Sequence, residues 1–273
     1  MGGPGPFGAD HPDSHDRHLC PPFDREAAAY GRPGREPCRG PEPGRQPASP
    51  QQYRQRLMCG RYYVADDTSA QIENLLAGQL EGTVPSLKKG DVFPSQSALT
   101  LVGGSRHILA LPRCWGFEIH GRLLINARCE TVEERPLYRK AFEQGRCLLP
   151  AASFYEWTKD RRQMRFWDDD CPVLFLGGIW RPSGKGGEFV ILTRPADSSV
   201  SPVHDRMPVI VPEKRAEEWV FETDFARALI RQLLDTESSG LVCQAVRSGS
   251  DERKNGNADN SGGHAYEQTS LFD

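Results

Sequence analysis

The 273-residue sequence contains no apolar run long enough to cross a membrane, and its first residues lack the apolar centre of a secretory signal peptide. These absences predict a soluble intracellular protein. The eight cysteines form no C-x-x-C pair, so neither a zinc ribbon nor a thioredoxin-like motif is present. The sequence therefore predicts no metal site and no cofactor.

The chain also lacks a strong excess of charge of either sign. Its formal net charge of -3 argues against a general polyanion binder. The sum hides local differences, because residues 106–165 hold twelve Lys and Arg against seven Asp and Glu, whereas residues 213–237 hold four against seven. The first of these segments is either a mixed solvated surface or a basic face that binds phosphates.

Periodic apolar residues are nearly missing from residues 1–57, which contain 11 of the 22 prolines. Such a segment cannot bury enough surface to offset the entropy of ordering it. We predict that residues 1–57 are a disordered leader, either a start assigned too early or a propeptide. Residues 58–250 are predicted to form one domain, and the polar residues 251–273 a flexible tail.

The pattern of apolar residues favours an α+β fold with a curved antiparallel, barrel-like sheet flanked by helices, because strands do not alternate strictly with helices. Apolar segments on both sides of residues 103–105 predict a hairpin. Capping and glycine signals predict helices at 68–80, 135–145, 212–220 and 224–234. Further strands are predicted at 146–150, 153–158, 173–180, 188–193, 208–211 and 241–246.

The stretch RLMCGRYY, residues 56–63, places a cysteine after a methionine where the predicted domain begins. If translation started at Met58, or if the leader were removed, Cys59 would carry a free α-amine beside its thiol. Such an amine forms a Schiff base with an aldehyde, and the thiol can then close a five-membered thiazolidine ring. The alternative is an ordinary buried cysteine, and position alone does not separate the two.

Three polar residues, Asn126, Arg128 and Glu130, occupy alternate positions in the stretch LINARCET. In an extended segment they would project from one face. Asn126 can hydrogen-bond a sugar hydroxyl or the terminal amine, and Arg128 can bind a phosphate. A polar network that satisfies the core is the alternative.

Two further stretches contain candidate acid-base groups. In SFYEW, the Glu156 side chain would face away from the two flanking aromatic rings of a strand. A carboxyl group in a partly apolar cleft can have a raised pKa and act as general acid or base. His204 and Arg206 precede an apolar strand, and an imidazole at such a place can transfer protons. A core polar network is again the alternative.

Together these motifs resemble the SOS response-associated peptidase (SRAP) domain of abasic-site processing proteins. The resemblance covers nearly all of residues 58–250, and six motifs in the family's order make it specific. The motifs are MCGR at 58–61, WGF at 115–117, INAR at 125–128 with ET at 130–131, CLLP at 147–150, FYEW at 154–157 and HDRMP at 204–208. The chain departs from the family at 91–94, where DVFP replaces Asn-x-Ala-Pro, and at 245–248, where AVRS replaces a Pro-Val-Ser element.

The resemblance implies a monomeric protein that couples covalently to abasic sites in single-stranded DNA. It places the protein in the cytoplasm, at the nucleoid or in the nucleus. It also implies a lyase-like enzyme activity and self-processing as a peptidase. It implies that Cys59 is the nucleophile and that Asn126 holds the sugar and the amine. Glu156 and His204 would carry the proton transfers of ring opening, dehydration and crosslink reversal. The implied DNA contacts are Arg61, Arg128 and Arg206. Trp115 and Phe117 would support a DNA-facing surface. For at least one of these two aromatic residues, packing in the core is the alternative.

The last residues, QTSLFD at 268–273, resemble the Q-x-x-L-F peptide by which bacterial replication proteins bind a sliding clamp. Leu271 and Phe272 would supply the apolar anchor, and Gln268 would fix the register. A flexible tether would let the domain search nearby DNA. The alternative is a tail without a partner.

Two other functions compete with this interpretation. Glutamine amidotransferase domains also begin Met-Cys-Gly and use the terminal amine as base, so an N-terminal-nucleophile amidohydrolase is one alternative. It would need a glutamine-clamping loop or an ammonia-accepting synthase domain, and the chain has no room for the latter. A noncovalent reader of damaged or modified DNA is the other.

Overall fold

The structure is a computed structural model that describes residues 59–85, 89–184 and 186–246. The predictions for the leader, for the tail and for Gln268, Leu271 and Phe272 lie outside these residues. The strands are β1 (Tyr62–Val64), β2 (Gly90–Val92), β3 (Ser97–Gly103), β4 (Ile108–Trp115), β5 (Phe117–Ile119), β6 (Arg122–Leu124), β7 (Asn126–Arg128), β8 (Arg146–Ala151), β9 (Ser153–Trp157), β10 (Gln163–Trp167), β11 (Leu174–Arg181), β12 (Glu188–Pro195), β13 (Arg206–Pro208), β14 (Ile210–Val211) and β15 (Val242–Ala245). The α-helices are α1 (Thr68–Leu75), α2 (Pro136–Gln144), α3 (Ala216–Phe221) and α4 (Thr223–Leu234).

The larger sheet closes on itself. Its strands follow the order β13-β12-β4-β3-β8-β11-β14, and β11 also pairs with β12, so the pairings run in a ring from β12 through β4, β3, β8 and β11. The ladders are antiparallel except where β12 pairs with β4 and with β7. The predicted α+β fold with a curved, barrel-like sheet is confirmed.

A smaller sheet of five strands positions the functional residues. Its order is β15-β10-β9-β1-β2, and its ladders are antiparallel. The short strand β1 lies between β9 and β2, so Tyr62 stands opposite both Phe154 and Val92. Side chains of the two sheets meet in one apolar cluster, which includes Tyr62, Trp115, Cys147 and Phe154.

A second apolar cluster packs the helices against the ring of strands, with Ile72, Phe142 and Trp219 from the helices. Strand β8 serves both clusters, because Leu148 belongs to the helix side and its neighbours Cys147 and Leu149 to the other. All six residues of β8 are buried. This explains why the stretch RCLLPA is continuously apolar after its arginine instead of alternating.

The helices begin and end close to the predicted positions. Helix α2 starts at Pro136, whose missing N–H is not needed in a first turn, and it stops before Gly145 as predicted. Helix α1 is shorter than predicted, because it ends at Leu75 and the following residues 76–79 form turns. Gly78 in these turns has a φ of 80°, a left-handed conformation that favours glycine and cannot continue a helix.

Candidate functional site

Cys59 is completely buried, three residues before β1. Its backbone N–H donates a hydrogen bond to Oε1 of Glu156 over 2.7 Å. Its φ of 33° lies in the left-handed region, which is uncommon for a residue with a side chain. The fold therefore brings the nitrogen of the predicted nucleophile directly to the predicted acid-base residue.

Glu156 lies on β9 and is completely buried. As predicted, its side chain faces away from Tyr155, whose ring contacts the Arg61 guanidinium on the other side of the strand. Burial raises the pKa of Glu156 from 4.5 to about 8; the hydrogen bond from Cys59 opposes this rise, and the charge of Asp205 adds to it. The other carboxyl oxygen, Oε2, has no hydrogen-bond partner among the described residues. At neutral pH the group is mostly protonated and can donate a proton from this oxygen.

The raised pKa of Glu156 makes the stability of the full-length chain depend on pH. The folded chain keeps this proton up to about pH 8, whereas the unfolded chain releases it near pH 4.5. The contribution of the bound proton to the free energy of unfolding is therefore fully present below pH 4.5 and is lost as the pH rises through 8. At about 1.4 kcal/mol per pKa unit, the loss amounts to several kcal/mol. We expect Glu156→Gln, which keeps an acceptor for Cys59, to flatten this dependence in urea unfolding.

The matched control for this experiment is Glu217→Gln, because Glu217 is exposed on α3. We expect this variant to unfold with the same pH dependence as the wild type. A Glu156→Gln chain whose stability still falls with pH as steeply as that of the wild type would contradict the assignment.

The His204 imidazole lies in the loop before β13, and its side chain is 12% exposed. Its Nδ1 lies 3.0 Å from the backbone nitrogen of Arg206, 3.2 Å from the Arg206 carbonyl oxygen and 3.3 Å from Oδ1 of Asp205. The next residue, Asp205, is close enough to Glu156 to affect the pKa of its carboxyl group. The loop of residues 204–205 therefore approaches the Glu156 side of the site.

The backbone before Asn126 is fixed by two hydrogen bonds to the Ile125 carbonyl, one from the Trp115 indole N–H over 2.9 Å and one from the Ile191 N–H over 3.1 Å. Asn126 is half-buried, and Arg128 is exposed at the end of β7. The prediction that Glu130 continues this face is wrong. The strand ends at Arg128, and a 3-10 turn over Cys129–Thr131 redirects the chain.

Arg206 is held inside the protein rather than presented to solvent. Its guanidinium forms an ion pair with Glu130 and donates to the Thr193 carbonyl over 2.7 Å. It is 7% exposed. These contacts join β13, β12 and the turn after β7, so Arg206 fixes the loop before β13.

Arg61 is likewise paired, although its partner was not predicted. It forms an ion pair with Asp91, and its guanidinium lies 5.1 Å from the Phe93 ring centre and 4.7 Å from that of Tyr155. The carboxyl group at position 91, where the chain departs from the family, thus has a polar role. Of the three predicted arginine contacts, Arg128 is the exposed one.

The prediction that Trp115 and Phe117 support a DNA-facing surface is wrong, because both rings are completely buried. Trp115 packs against Tyr62, with ring centres 5.3 Å apart, and Phe117 packs against Tyr138 at 6.1 Å. The exposed ring near the site is Phe93, which is 38% exposed. Its position beside Arg61 depends on the pairing between β1 and β2, so no local sequence pattern indicates it.

No helix within residues 59–85, 89–184 and 186–246 is both long and apolar enough to span a membrane. In the same part of the chain, no three His, Cys, Asp or Glu side chains are grouped so that they could hold a metal ion. Free cysteines there are Cys59, Cys129, Cys147, Cys171 and Cys243.

Fold and site together define a class of protein: an α+β domain in which a cysteine nitrogen is held against a buried carboxyl group, with an imidazole loop nearby. The family model described as SOS response associated peptidase (SRAP) matches residues 58–249. The chain belongs to the SRAP family.

Relatives of known name are similar over most of their length. The abasic site processing protein YoqW of Bacillus subtilis is 30% identical over 195 residues, which cover 64% of this chain and 87% of that protein. The abasic site processing protein YedK of Escherichia coli is 29% identical over 177 residues, which cover 60% and 79%.

Solved structures show the same fold. A protein from Bordetella bronchiseptica matches with a TM-score of 0.56 at 22% identity, over 70% of this chain and all of that one. A phage-related protein of the same organism matches with a TM-score of 0.57 at 24% identity, over 70% and 95%.

Proposed function

We propose that this protein processes abasic sites in single-stranded DNA by capturing them as a covalent thiazolidine at Cys59. The observation that carries the proposal is the 2.7 Å contact between the Cys59 nitrogen and Oε1 of Glu156, with both residues completely buried. The names of the related abasic site processing proteins support this substrate class.

The reaction requires a free amine on Cys59. An amide nitrogen shares its lone pair with the carbonyl group and cannot form a Schiff base. Either a start at Met58 followed by methionine removal or self-cleavage of the Met58–Cys59 bond would expose the amine. In self-cleavage, protonated Glu156 would donate its proton to the departing nitrogen while water completes the hydrolysis.

Exposure of the amine changes the state of Glu156. An ammonium group in place of the amide N–H puts a positive charge beside the carboxyl group, which lowers the pKa of that group. Glu156 would then accept a proton from the ammonium and leave the amine nucleophilic. One buried carboxyl group would thus act as an acid before processing and as a base after it.

Capture would follow in three balanced steps. The amine adds to the aldehyde carbon of the ring-opened sugar, and the resulting carbinolamine loses water, with Glu156 returning a proton to the departing hydroxyl group. The sulfur of Cys59 then adds to the C=N carbon, and the thiol proton ends on nitrogen. Before these steps the sugar ring opens: the bond between C1 and the ring oxygen breaks, His204 would donate a proton to that oxygen, and the C1 hydroxyl would lose its proton to water as it becomes the aldehyde. Asn126 would hold the sugar.

Denaturing electrophoresis tests the proposal. Protein that begins at Cys59 is incubated with a single strand from which one uracil has been excised, and a heat-stable shift of the strand is the expected result. The intact mass of the protein from its native locus shows whether residues 1–57 are absent, and a mass that retains them would contradict both routes to the free amine.

We propose Arg128 as a phosphate contact, because it is exposed at the end of the strand that begins with Asn126. Arg128→Ala is expected to weaken binding to a single strand and to lower the slope of log affinity against log salt by about 0.7, the value for one phosphate contact. Fluorescence anisotropy over a salt series measures this slope. Arg231→Ala, at an exposed position of the acidic segment on α4, is the control and should leave it unchanged. Equal slopes for wild type and Arg128→Ala would contradict the assignment.

The sequence at 268–273, which lies outside the described residues, supports a further partner. We propose that Gln268, Leu271 and Phe272 attach the protein to a sliding clamp, because a Leu-Phe anchor on a polar tether matches clamp-binding peptides.

A further inference from the structure

The hydroxyl group of Tyr62 is a buried polar group that the mechanism above does not use. Tyr62 is 1% exposed, and its Oη has no hydrogen-bond partner among the described residues. A buried hydroxyl without a partner destabilises the folded state, and a phenylalanine would fill the same apolar space without this penalty. The hydroxyl group therefore needs an explanation other than packing.

The strand register places Tyr62 on the face that carries Glu156. Tyr62 on β1 stands opposite Phe154 on β9, and Phe154 shares a face with Glu156 because the two are two positions apart on one strand. Tyr62 follows Cys59 by three residues, and the two side chains belong to the same buried cluster. The phenol thus lies on the side of the sheet where the carboxyl group holds the Cys59 nitrogen.

The electrostatics of this region make Tyr62 a hydrogen-bond donor. Burial raises the pKa of Tyr62, and the nearby Cys59 and Cys147 sulfurs raise it further, so the phenol keeps its proton. Burial and the charge of Glu156 likewise raise the pKa of the Cys59 thiol well above its usual range. Negative charge that develops on this sulfur therefore needs a donor close by.

We propose that the Tyr62 hydroxyl donates a hydrogen bond to the Cys59 sulfur while the sulfur adds to the Schiff-base carbon, which makes Tyr62 a catalytic residue of ring closure. The inference rests on the proposed thiazolidine chemistry. The S–C bond forms, the C=N π pair moves to nitrogen, and the thiol proton follows it. Tyr62 keeps its own proton throughout.

Loss of the peptide bond before Cys59 permits this contact. The φ of 33° at Cys59 is a torsion that the preceding carbonyl group restrains. Once the nitrogen is free, this restraint is gone and the cysteine can reorient. The Tyr62 ring stays in place, because the Trp115 ring packs against it with centres 5.3 Å apart.

Tyr62→Phe in the chain that begins at Cys59 tests the inference, since it removes only the hydroxyl group. We expect the heat-stable crosslink to form at least about 10-fold more slowly, as for the loss of one hydrogen bond to a charged group. Trapping of the Schiff base with cyanoborohydride should proceed at the wild-type rate, because the amine step does not involve the phenol. In the chain that keeps the peptide bond before Cys59, where the hydroxyl group has no partner among the described residues, Tyr62→Phe should unfold at a higher urea concentration than the wild type.

Tyr63→Phe is the matched control, because Tyr63 is the next residue of β1 and faces the other side, where Arg165 lies 5.4 Å from its ring centre. A Tyr62→Phe chain that closes the ring at the wild-type rate would overturn the inference. Lower stability of Tyr62→Phe in the chain that keeps the peptide bond before Cys59 would overturn it as well, since the hydroxyl group would then have a structural partner in that chain. Failure of the wild type to crosslink would instead reject the proposed function.

Discussion

A chain that begins at Cys59 is expected to crosslink to abasic single-stranded DNA, and a chain that keeps an intact peptide bond before Cys59 is not. The difference should be at least about 100-fold in rate, because the amide nitrogen cannot form the Schiff base on which ring closure depends. The measurement is the fraction of a uracil-excised strand that runs as a heat-stable shifted band over time, with the mass of each protein determined beforehand.

Matched variants separate the chemistry from binding. Cys59→Ala should give no heat-stable band, whereas Cys243→Ser, which removes an exposed free thiol on β15, should crosslink like the wild type. An unprocessed chain that crosslinks as fast as the Cys59-start chain would refute ring closure. A noncovalent reader would bind without any band in either form, and an amidohydrolase would release ammonia from glutamine.

Much of the fold could be predicted because its longer elements carry local signals. Strand β3 and strand β4 flank a glycine pair, and α2 begins at a proline and ends before a glycine. The short strands β1, β2 and β7 could not be predicted, because three residues are too few to show a period. The pairing of β1 with β9 nevertheless places Tyr62 and Glu156 on one face of the sheet.

The site was predictable only where a local pattern determines the direction of a side chain. Alternation along SFYEW indicated that Glu156 turns away from its aromatic neighbours, and the structure buries it completely. The complete burial of Trp115 depends on the packing of β4 against β12 and against the smaller sheet. No local sequence pattern encodes this packing. The same holds for the ion pair of Arg61 with Asp91, since the partners are 30 positions apart and meet only through the pairing of β1 with β2.

Glu156→Gln is expected to slow crosslinking by a chain that begins at Cys59 by about 100-fold or more, the usual contribution of one general acid-base group. The amide side chain keeps an oxygen that can accept a hydrogen bond from the Cys59 nitrogen, but it can neither take the ammonium proton nor return one to the departing hydroxyl. The rate of heat-stable band formation measures the loss.

Two comparisons show whether the proton or the hydrogen bond matters. Glu217→Gln, the same change at an exposed position of α3, should crosslink at the wild-type rate. If Glu156 served only to position the nitrogen, Glu156→Gln would also retain nearly full activity, and the acid-base role would be rejected. If Glu156 moves protons, raising the pH should partly restore the crosslinking rate of Glu156→Gln, because hydroxide then deprotonates the ammonium group in place of the carboxylate. The restoration should be partial, because the dehydration step stays slow.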